Sequence, residues 1–322
     1  MSNNQLVANE DSAVPYVIVN PDGTYTRPII FPTCPATPNQ HSDIPVLSKD
    51  VTINAINKTG ARIHIRNDII TSPKCQVKKL PVFFYYHGGG FVVGSSCTKF
   101  VHDFCDQLAA QLSVVVVSVD FRPAPEHRLP AAYEDGVEVL HWVKSTQDPW
   151  LTKFADLLNC YIMGTSAGAN LAYHAGLRAS IQVDDLEPLK IKGLILHHLF
   201  IGGMERTDSE IRLASAKTLN LSTSDLFWDF CLPVGANRDH EYSNLILGNG
   251  LDRIKEVGWG VMMPIRYGDL MSDRQIGFAK TMELKGIKTK CFYGEGEHGV
   301  EYFDKAKAKE LLDEISSFMS SI

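Results

Sequence analysis

Hydrophobic and polar positions change their period along this chain of 322 residues, and each change marks an element. Residues 1–45 are polar, Pro-rich and irregular apart from a turn at Pro21-Asp22-Gly23, the pattern of a disordered tail or of an arm laid over the rest. Apolar residues alternate over 49–56 and 61–65, which predicts a short amphipathic strand pair. Positions 80–86 form a continuous apolar run, and 113–119 are β-branched and almost wholly apolar; both read as strands buried on two faces. Between them Phe100, Phe104, Leu108 and Leu112 recur four apart, which predicts a helix over 100–112. The same logic gives helices at 131–144, 167–179, 273–285 and 305–317, and strands at 159–163, 191–196, 261–267 and 289–293. Strands separated by helices imply a mostly parallel sheet with helices on both faces. Only 201–239 breaks the alternation, reading as helices inserted after a strand. The expectation is one catalytic domain over 46–322 with a helical cap at about 201–240, preceded by an N-terminal arm over 1–45.

Composition narrows the classes. The chain is 44% hydrophobic and 21% charged, with enough apolar mass for a substantial core. Its net charge is −6, without basic blocks, so neither nucleic acid nor an anionic membrane is an expected partner. The first residues, MSNNQLVANEDSAVPY, show no basic n-region and no apolar h-region. No apolar stretch approaches the roughly 20 residues of a membrane helix. Seven scattered cysteines without a CxxC pair fit reduced thiols and a cytoplasmic protein. Two Asn-x-Ser/Thr sequons, at Asn57 and Asn220, carry little weight without a secretory route.

The sharpest chemical signal is Gly164-Thr165-Ser166-Ala167-Gly168, a G-x-S-x-G between an apolar strand and a helix. At such a turn two glycines permit a reversal too tight for a Cβ, lifting the serine hydroxyl above the sheet. The helix N-terminus then faces whatever sits on that oxygen. Elsewhere, His87-Gly88-Gly89-Gly90-Phe91 directly follows the strand at 80–86. Acyl transfer builds negative charge on a carbonyl oxygen and needs preorganised N–H donors. The amides of Gly88, Gly89 and Ala167 are the expected oxyanion hole. A serine nucleophile also needs a base and an orienting acid. Of the histidines after Ser166, His298 lies in a loop between the last strand and the final helix, at the edge where open α/β sheets carry ligands. His174 falls inside a helix, and His240 in a polar loop. His197 and His198 are expected to point opposite ways along a strand, in structural roles. Asp269 and Asp273 both follow the strand at 261–267; Asp269 is favoured because the first loop residues face the crevice, leaving Asp273 as a helix N-cap.

This set of residues resembles the plant carboxylesterase family, in the hormone-sensitive-lipase-like branch of the α/β-hydrolases. The resemblance runs from about Pro28 onwards. It rests on the His87–Phe91 motif, on Arg122-Pro123-Ala124-Pro125-Glu126-His127-Arg128-Leu129-Pro130-Ala131-Ala132-Tyr133, on Met163-Gly164-Thr165-Ser166-Ala167-Gly168-Ala169-Asn170 and on the Asp269 and His298 loops. It implies an α/β-hydrolase fold, a mostly parallel central sheet flanked by helices with a helical cap, and hydrolysis of small-metabolite esters through an acyl-serine without a cofactor. Ser166 would be nucleophile, His298 general base and acid, and Asp269 its orienter. Asp120, Arg122 and Glu126 are expected to be structural.

Several positions depart from the family pattern. Thr165 stands where an acidic residue is usual, Pro123 where Leu is, and Leu270 where Pro is. An expected apolar-Pro-Phe stretch reads His197-His198-Leu199-Phe200, and Glu295-Gly296-Glu297 is more acidic than usual. With an intact triad, these changes point to a specialised substrate. Two other functions share the scaffold: a non-hydrolytic relative (cyclase, dehydratase or lactonising acyl transferase), and a receptor of the gibberellin type, which lacks the catalytic histidine that His298 supplies here. Candidate substrate contacts are Phe91, Thr165, Leu199, Phe200, Phe227 and Val300, with Trp228 beside them. The expected partner is a small-molecule ester, with no metal, and the chain is a monomer or homodimer.

Overall fold

The computed structural model describes residues 16–39, 44–71, 79–248 and 250–322. Two short strands, β1 (Ile18–Val19) and β2 (Tyr25–Thr26), form a hairpin around the Pro21-Asp22-Gly23 turn. Then come β3 (Val46–Asn54), β4 (Thr59–Arg66) and a one-turn helix, α1 (Asn67–Thr71). The alternating part runs β5 (Leu80–Tyr86), α2 (Lys99–Leu112), β6 (Val115–Asp120), α3 (Ala131–Ser145), α4 (Pro149–Phe154), β7 (Ala155–Thr165), α5 (Ala167–Ile181) and β8 (Ile191–His197). After α6 (Asp208–Arg212), α7 (Leu221–Cys231) and α8 (Leu251–Glu256) it resumes with β9 (Gly260–Gly268), α9 (Ser272–Leu284), β10 (Thr289–Glu297) and α10 (Lys305–Ser321).

Eight strands make one sheet in the order β10-β9-β8-β7-β5-β6-β4-β3. The strands from β10 to β6 pair in parallel, and β4 joins β6 and β3 antiparallel. Burial on both faces follows from the two-residue period of β5: Val82, Phe84 and Tyr86 enter one core, Phe83 and Tyr85 the other. The first core also takes the apolar faces of α3 and α5, the second those of α2 and α10. From β5 the chain crosses to β6 on one side and later to β7 on the other. That reversal of winding opens a crevice at the C-terminal strand ends, where such sheets bind ligands.

The elements expected from periodicity are present with ends moved by up to four residues, β10 running on to Glu297 and α10 to Ser321, and three further differences stand out. Strand β7 begins at Ala155, four residues before the expected start, because Leu80 and Pro81 of β5 pair with Ala155 and Asp156 before a register shift. Helix α4, absent from that reading, starts on an Asp148 side chain that accepts from the amides of Trp150 and Leu151, with proline in its first turn. In the segment 201–239 only α6 and α7 are α-helices. The expected structural trio is engaged in structural contacts. Asp120 accepts from Ser96, Arg122 grips Asp135 at 2.7 Å, and Glu126 pairs with Arg27 of the N-terminal segment at 2.6 Å. Asn220 of the second sequon is the N-cap of α7. No helix among the described residues is long and apolar enough to cross a membrane.

Candidate active site

Five strand ends converge on one point. Beyond β5 lie His87 and Gly88, beyond β7 Ser166, beyond β8 His198, beyond β9 Asp269 and beyond β10 His298. Parallel pairing brings these ends into one row, so residues far apart in sequence become neighbours.

Ser166 sits in a strained turn, with φ 58° and ψ −122°. The turn is tight because the helix behind it presses against β5: a Cβ on Gly168 would stand 1.9 Å from Tyr86 O. His298 Nε2 lies 2.8 Å from Ser166 Oγ, and His298 Nδ1 lies 2.8 Å from Asp269 Oδ2. With Nδ1–H donated to the carboxylate, the Nε2 lone pair faces the serine hydroxyl, which is the tautomer a general base needs. Asp269 is buried and accepts four hydrogen bonds. Oδ2 takes His298, His198 at 2.8 Å and Gln275 Nε2 at 3.2 Å, while Oδ1 takes the Met271 amide at 3.0 Å. Burial alone would raise its pKa; the facing His298 ring and the bonds from His198 and His298 reverse this and hold it well below the usual carboxylate range. Asp273, the alternative acid, is elsewhere. It lies within α9 rather than capping it, and its Oδ2 accepts the Ser209 amide of α6 at 2.7 Å.

Gly88 packs directly on Ser166, since a Cβ there would be 3.3 Å from that of the serine. Gly89 has φ +114°, and a side chain on it would collide with Val93 O at 2.0 Å, so this loop conformation needs glycine. His87 supports the loop from beneath, its ring stacked on Phe121 and its Nδ1 2.7 Å from Gly88 O. Ala167 opens α5 next to the serine.

Behind Ser166, His298 and Asp269 lies a group of charges that the periodicity does not disclose. His198 Nε2 is 2.7 Å from Glu301 Oε2, and Arg266 Nε is 2.7 Å from Glu301 Oε1. His197 Nε2 also stands 3.0 Å from Glu301. The two adjacent histidines do not point opposite ways: β8 ends at His197, His198 takes φ +49°, and their rings lie 4.4 Å apart on the same carboxylate. They differ in charge. Burial pushes His197 down to about 4, so it is neutral. Burial also opposes charge on His198, but Glu301 and the bonds from both carboxylates outweigh it and raise His198 to about 9. Glu301 is held well below its ordinary range by the facing histidines despite its burial.

In front of the serine is a cavity of about 310 Å³. Thr165, Phe200 and Phe227 line it, as do Gly88, Gly89, Ser166 and His298. Thr165 turns its hydroxyl away, towards Tyr85 at 2.9 Å and His197 Nδ1 at 3.0 Å. Three candidate contacts lie outside the cavity wall. Phe91 is buried against Phe121 and Tyr133, Leu199 is fully buried in the core with its carbonyl bonded to Gln275, and Val300 sits beneath Gly296. Trp228 stacks beneath Phe200 at 4.3 Å, one layer behind the wall. In their place stand Tyr16 and Phe31 from the N-terminal segment, Leu219 before α7, and Phe100, Tyr302 and Phe303. In the sequence Phe100 shows only as one position of a helical stripe, and residues 16–31 carry no period that separates a wall from a loop. No Asp, Glu, Lys or Arg lines the cavity among the described residues.

The fold also gathers His64, His102 and Asp106 within ligand distance of one another. Arg62 already supplies positive charge there, 3.3 Å from His102 Nδ1.

Comparison with known proteins identifies the family. The alpha/beta hydrolase fold family model matches residues 83–301. Carboxylesterase 20 of Arabidopsis thaliana is 44% identical over 95% of each chain. A 3-O-acetylpapaveroxine carboxylesterase of Papaver somniferum is 39% identical, covering 94% of this chain and 95% of its own. Among solved structures, the thermostable carboxylesterase EstE1 from a metagenomic library superposes with a TM-score of 0.69 at 25% identity, covering 91% of this chain and 90% of its own. The chain belongs to the plant carboxylesterases of the α/β-hydrolase fold.

Proposed function

We propose that this carboxylic ester hydrolase cleaves a small, uncharged, largely apolar metabolite ester through an acyl-Ser166 intermediate. The observation that carries the reading is the unbroken line from Ser166 Oγ through His298 to Asp269, at 2.8 Å for each step. Ser166 Oγ attacks the ester carbonyl while His298 Nε2 takes its proton and later returns it to the departing alkoxide. The amides of Gly88, Gly89 and Ala167 receive the developing oxyanion. Water, activated by the same imidazole, then releases the acid and restores Ser166.

The substrate class follows from the wall. A cavity of about 310 Å³ is at the small end for ligand pockets. Among the described residues, its mainly aromatic and aliphatic lining offers no fixed charge to pair with a carboxylate or an ammonium group, and burying either unpaired is costly. The N-terminal arm and the insert after β8 act together as the cover, since Tyr16 meets Phe227 edge-on at 5.1 Å. The poppy relative is named for an ester of this kind only in that its substrate carries an acetyl group. A fluorophosphonate probe should label Ser166 alone, and Ser166→Ala should abolish both labelling and hydrolysis. Turnover in ¹⁸O-labelled water should place the label in the released acid. Stoichiometric labelling of another serine, or a natural product free of solvent oxygen, would overturn the reading.

A further inference from the structure

Asp269 serves two histidines, and the ordinary triad uses one. His298 approaches its Oδ2 from the substrate side and His198 from behind, each at 2.8 Å, with the two rings 5.0 Å apart. His198 is fully buried, and each of its ring nitrogens faces a carboxylate oxygen: Asp269 through Nδ1 and Glu301 through Nε2. Carboxylates only accept, so both nitrogens must donate, and only the imidazolium has two N–H groups. A proton moved to Glu301 would weaken its bond from Arg266 Nε at 2.7 Å. Two buried carboxylates, one guanidinium and one imidazolium therefore balance to zero. Its left-handed backbone, φ +49°, is a further sign that the surroundings dictate this placement.

We propose that His198 is a positioning residue for hydrolysis: a standing cation behind Asp269 that fixes this carboxylate and sets the pH at which His298 can accept the Ser166 proton. The inference rests on the triad assignment made above. A carboxylate shared with a resident cation stabilises a second imidazolium less than one left to itself, so His298 stays an available base in more acidic solution. The other groups facing this point leave the balance intact. His197 on β8 is neutral, the Tyr85 and Tyr302 phenols bond each other at 2.7 Å, and Glu310 of α10 reaches only the outer side of Arg266 at 3.4 Å.

The test is the pH profile of kcat/KM for a 4-nitrophenyl ester. His198→Gln keeps one donor for Asp269 but removes the charge, while Arg266 keeps Glu301 ionised, so the surroundings of Asp269 become net negative. The acid limb should move to higher pH by roughly one to two units, for a unit charge at this separation in a partly screened interior. The plateau kcat should fall by less than about tenfold, because the Gln amide still holds the carboxylate. His198→Leu, which loses the donor too, should lower the plateau further. An acid limb that coincides with the wild type's in a folded His198→Gln protein would reduce His198 to a structural part. Should both variants fail to fold, ¹⁵N NMR of ring-labelled histidine in the wild-type protein decides. One ring must carry protons on both nitrogens at about pH 8, where an ordinary histidine is neutral. If no ring does so, the proposal fails. Hydrolysis that survives Ser166→Ala would instead sink the triad assignment, and the NMR result would stand apart from it.

Discussion

The two sides of Ser166 are built on opposite principles. Behind it, toward the sheet, Asp269, His198, Glu301 and Arg266 are all buried and joined by hydrogen bonds. In front, the cavity wall is aromatic and aliphatic and, among the described residues, free of carboxylates, ammonium groups and guanidinium groups. Buried charges survive only when paired and fully hydrogen-bonded, which requires rigid elements around them. Strand ends meet that requirement. A wall that must admit a substrate does not, and so it stays neutral. The protein thus fixes charge among the strand ends and keeps the substrate side apolar.

The largest test of this division strikes the residue that joins the two sides. His298→Ala removes the base and should lower kcat by about 10⁴-fold or more, as loss of a triad member does. KM should change little, because the neutral wall that binds the ester remains. A loss below about tenfold, with a much larger one in a His198 variant, would transfer the base to the wrong side of Asp269.

The next effect is thermodynamic and belongs to the rear side alone. His198 titrates at about 9 in the folded protein and at about 6.5 when unfolded. A raised pKa stabilises the folded state fully below the unfolded value, and that contribution is lost as pH rises through the folded one. Stability measured by urea unfolding should therefore fall from about pH 6.5 to 9 by roughly 2–3 kcal/mol more in the wild type than in His198→Gln. Equal slopes would mean that His198 carries no standing charge.

How much of this could be read from the chain depends on whether the signal is local. Ser166 and the glycines of the elbow and the Gly88–Gly89 loop stand in short motifs whose residue types are dictated by backbone geometry. Asp269 is the first acid past the strand at 261–267 and His298 lies in the loop between the last strand and the final helix, so position favours both, although it leaves Asp273 as a second choice of acid. The rear charges carry no such mark. Arg266 lies inside β9, an apolar run, and Glu301 just past a loop read for its histidine; they meet only because parallel strands align their ends. The wall is harder still. Phe91, Leu199 and Val300 sit beside motif residues, yet a neighbour in sequence points to the opposite face of a strand or turn. Tyr16 and Phe31 reach the cavity from a segment whose pattern shows no period at all.

A smaller effect probes the front wall. Phe227 packs over Gly90, where an added Cβ would stand 2.1 Å from its ring, and meets Tyr16 edge-on. Phe227→Leu keeps the site closed but removes part of that surface. It should raise KM for apolar esters by about three- to tenfold, the worth of a partly lost aromatic contact, with kcat nearly unchanged. A large fall in kcat with KM intact would mean that the wall also aligns the reacting groups.

The smallest expected effect concerns what holds the front together. Arg27 lies between Tyr16 and Phe31, the two wall residues of the N-terminal segment. Its guanidinium pairs with both oxygens of Glu126, at 2.7 and 2.6 Å, and donates to Val92 O and Ala124 O at 2.7 Å each. Val92 follows the glycine loop that supplies the expected oxyanion amides, so one side chain ties the arm to that loop. The ion pair is partly exposed and worth no more than about 1 kcal/mol, but the two carbonyl contacts need the planar fork that lysine lacks. Arg27→Lys and Arg27→Ala should therefore give similar, few-fold rises in KM, with kcat within about twofold and Tm lowered by a few degrees at most. Raising ionic strength should weaken the wild type only slightly towards the variants, since screening reaches the exposed Glu126 pair and not the carbonyl bonds. If Arg27→Ala leaves KM for every ester unchanged, the arm covers the cavity without shaping it, and selection lies with the rest of the wall.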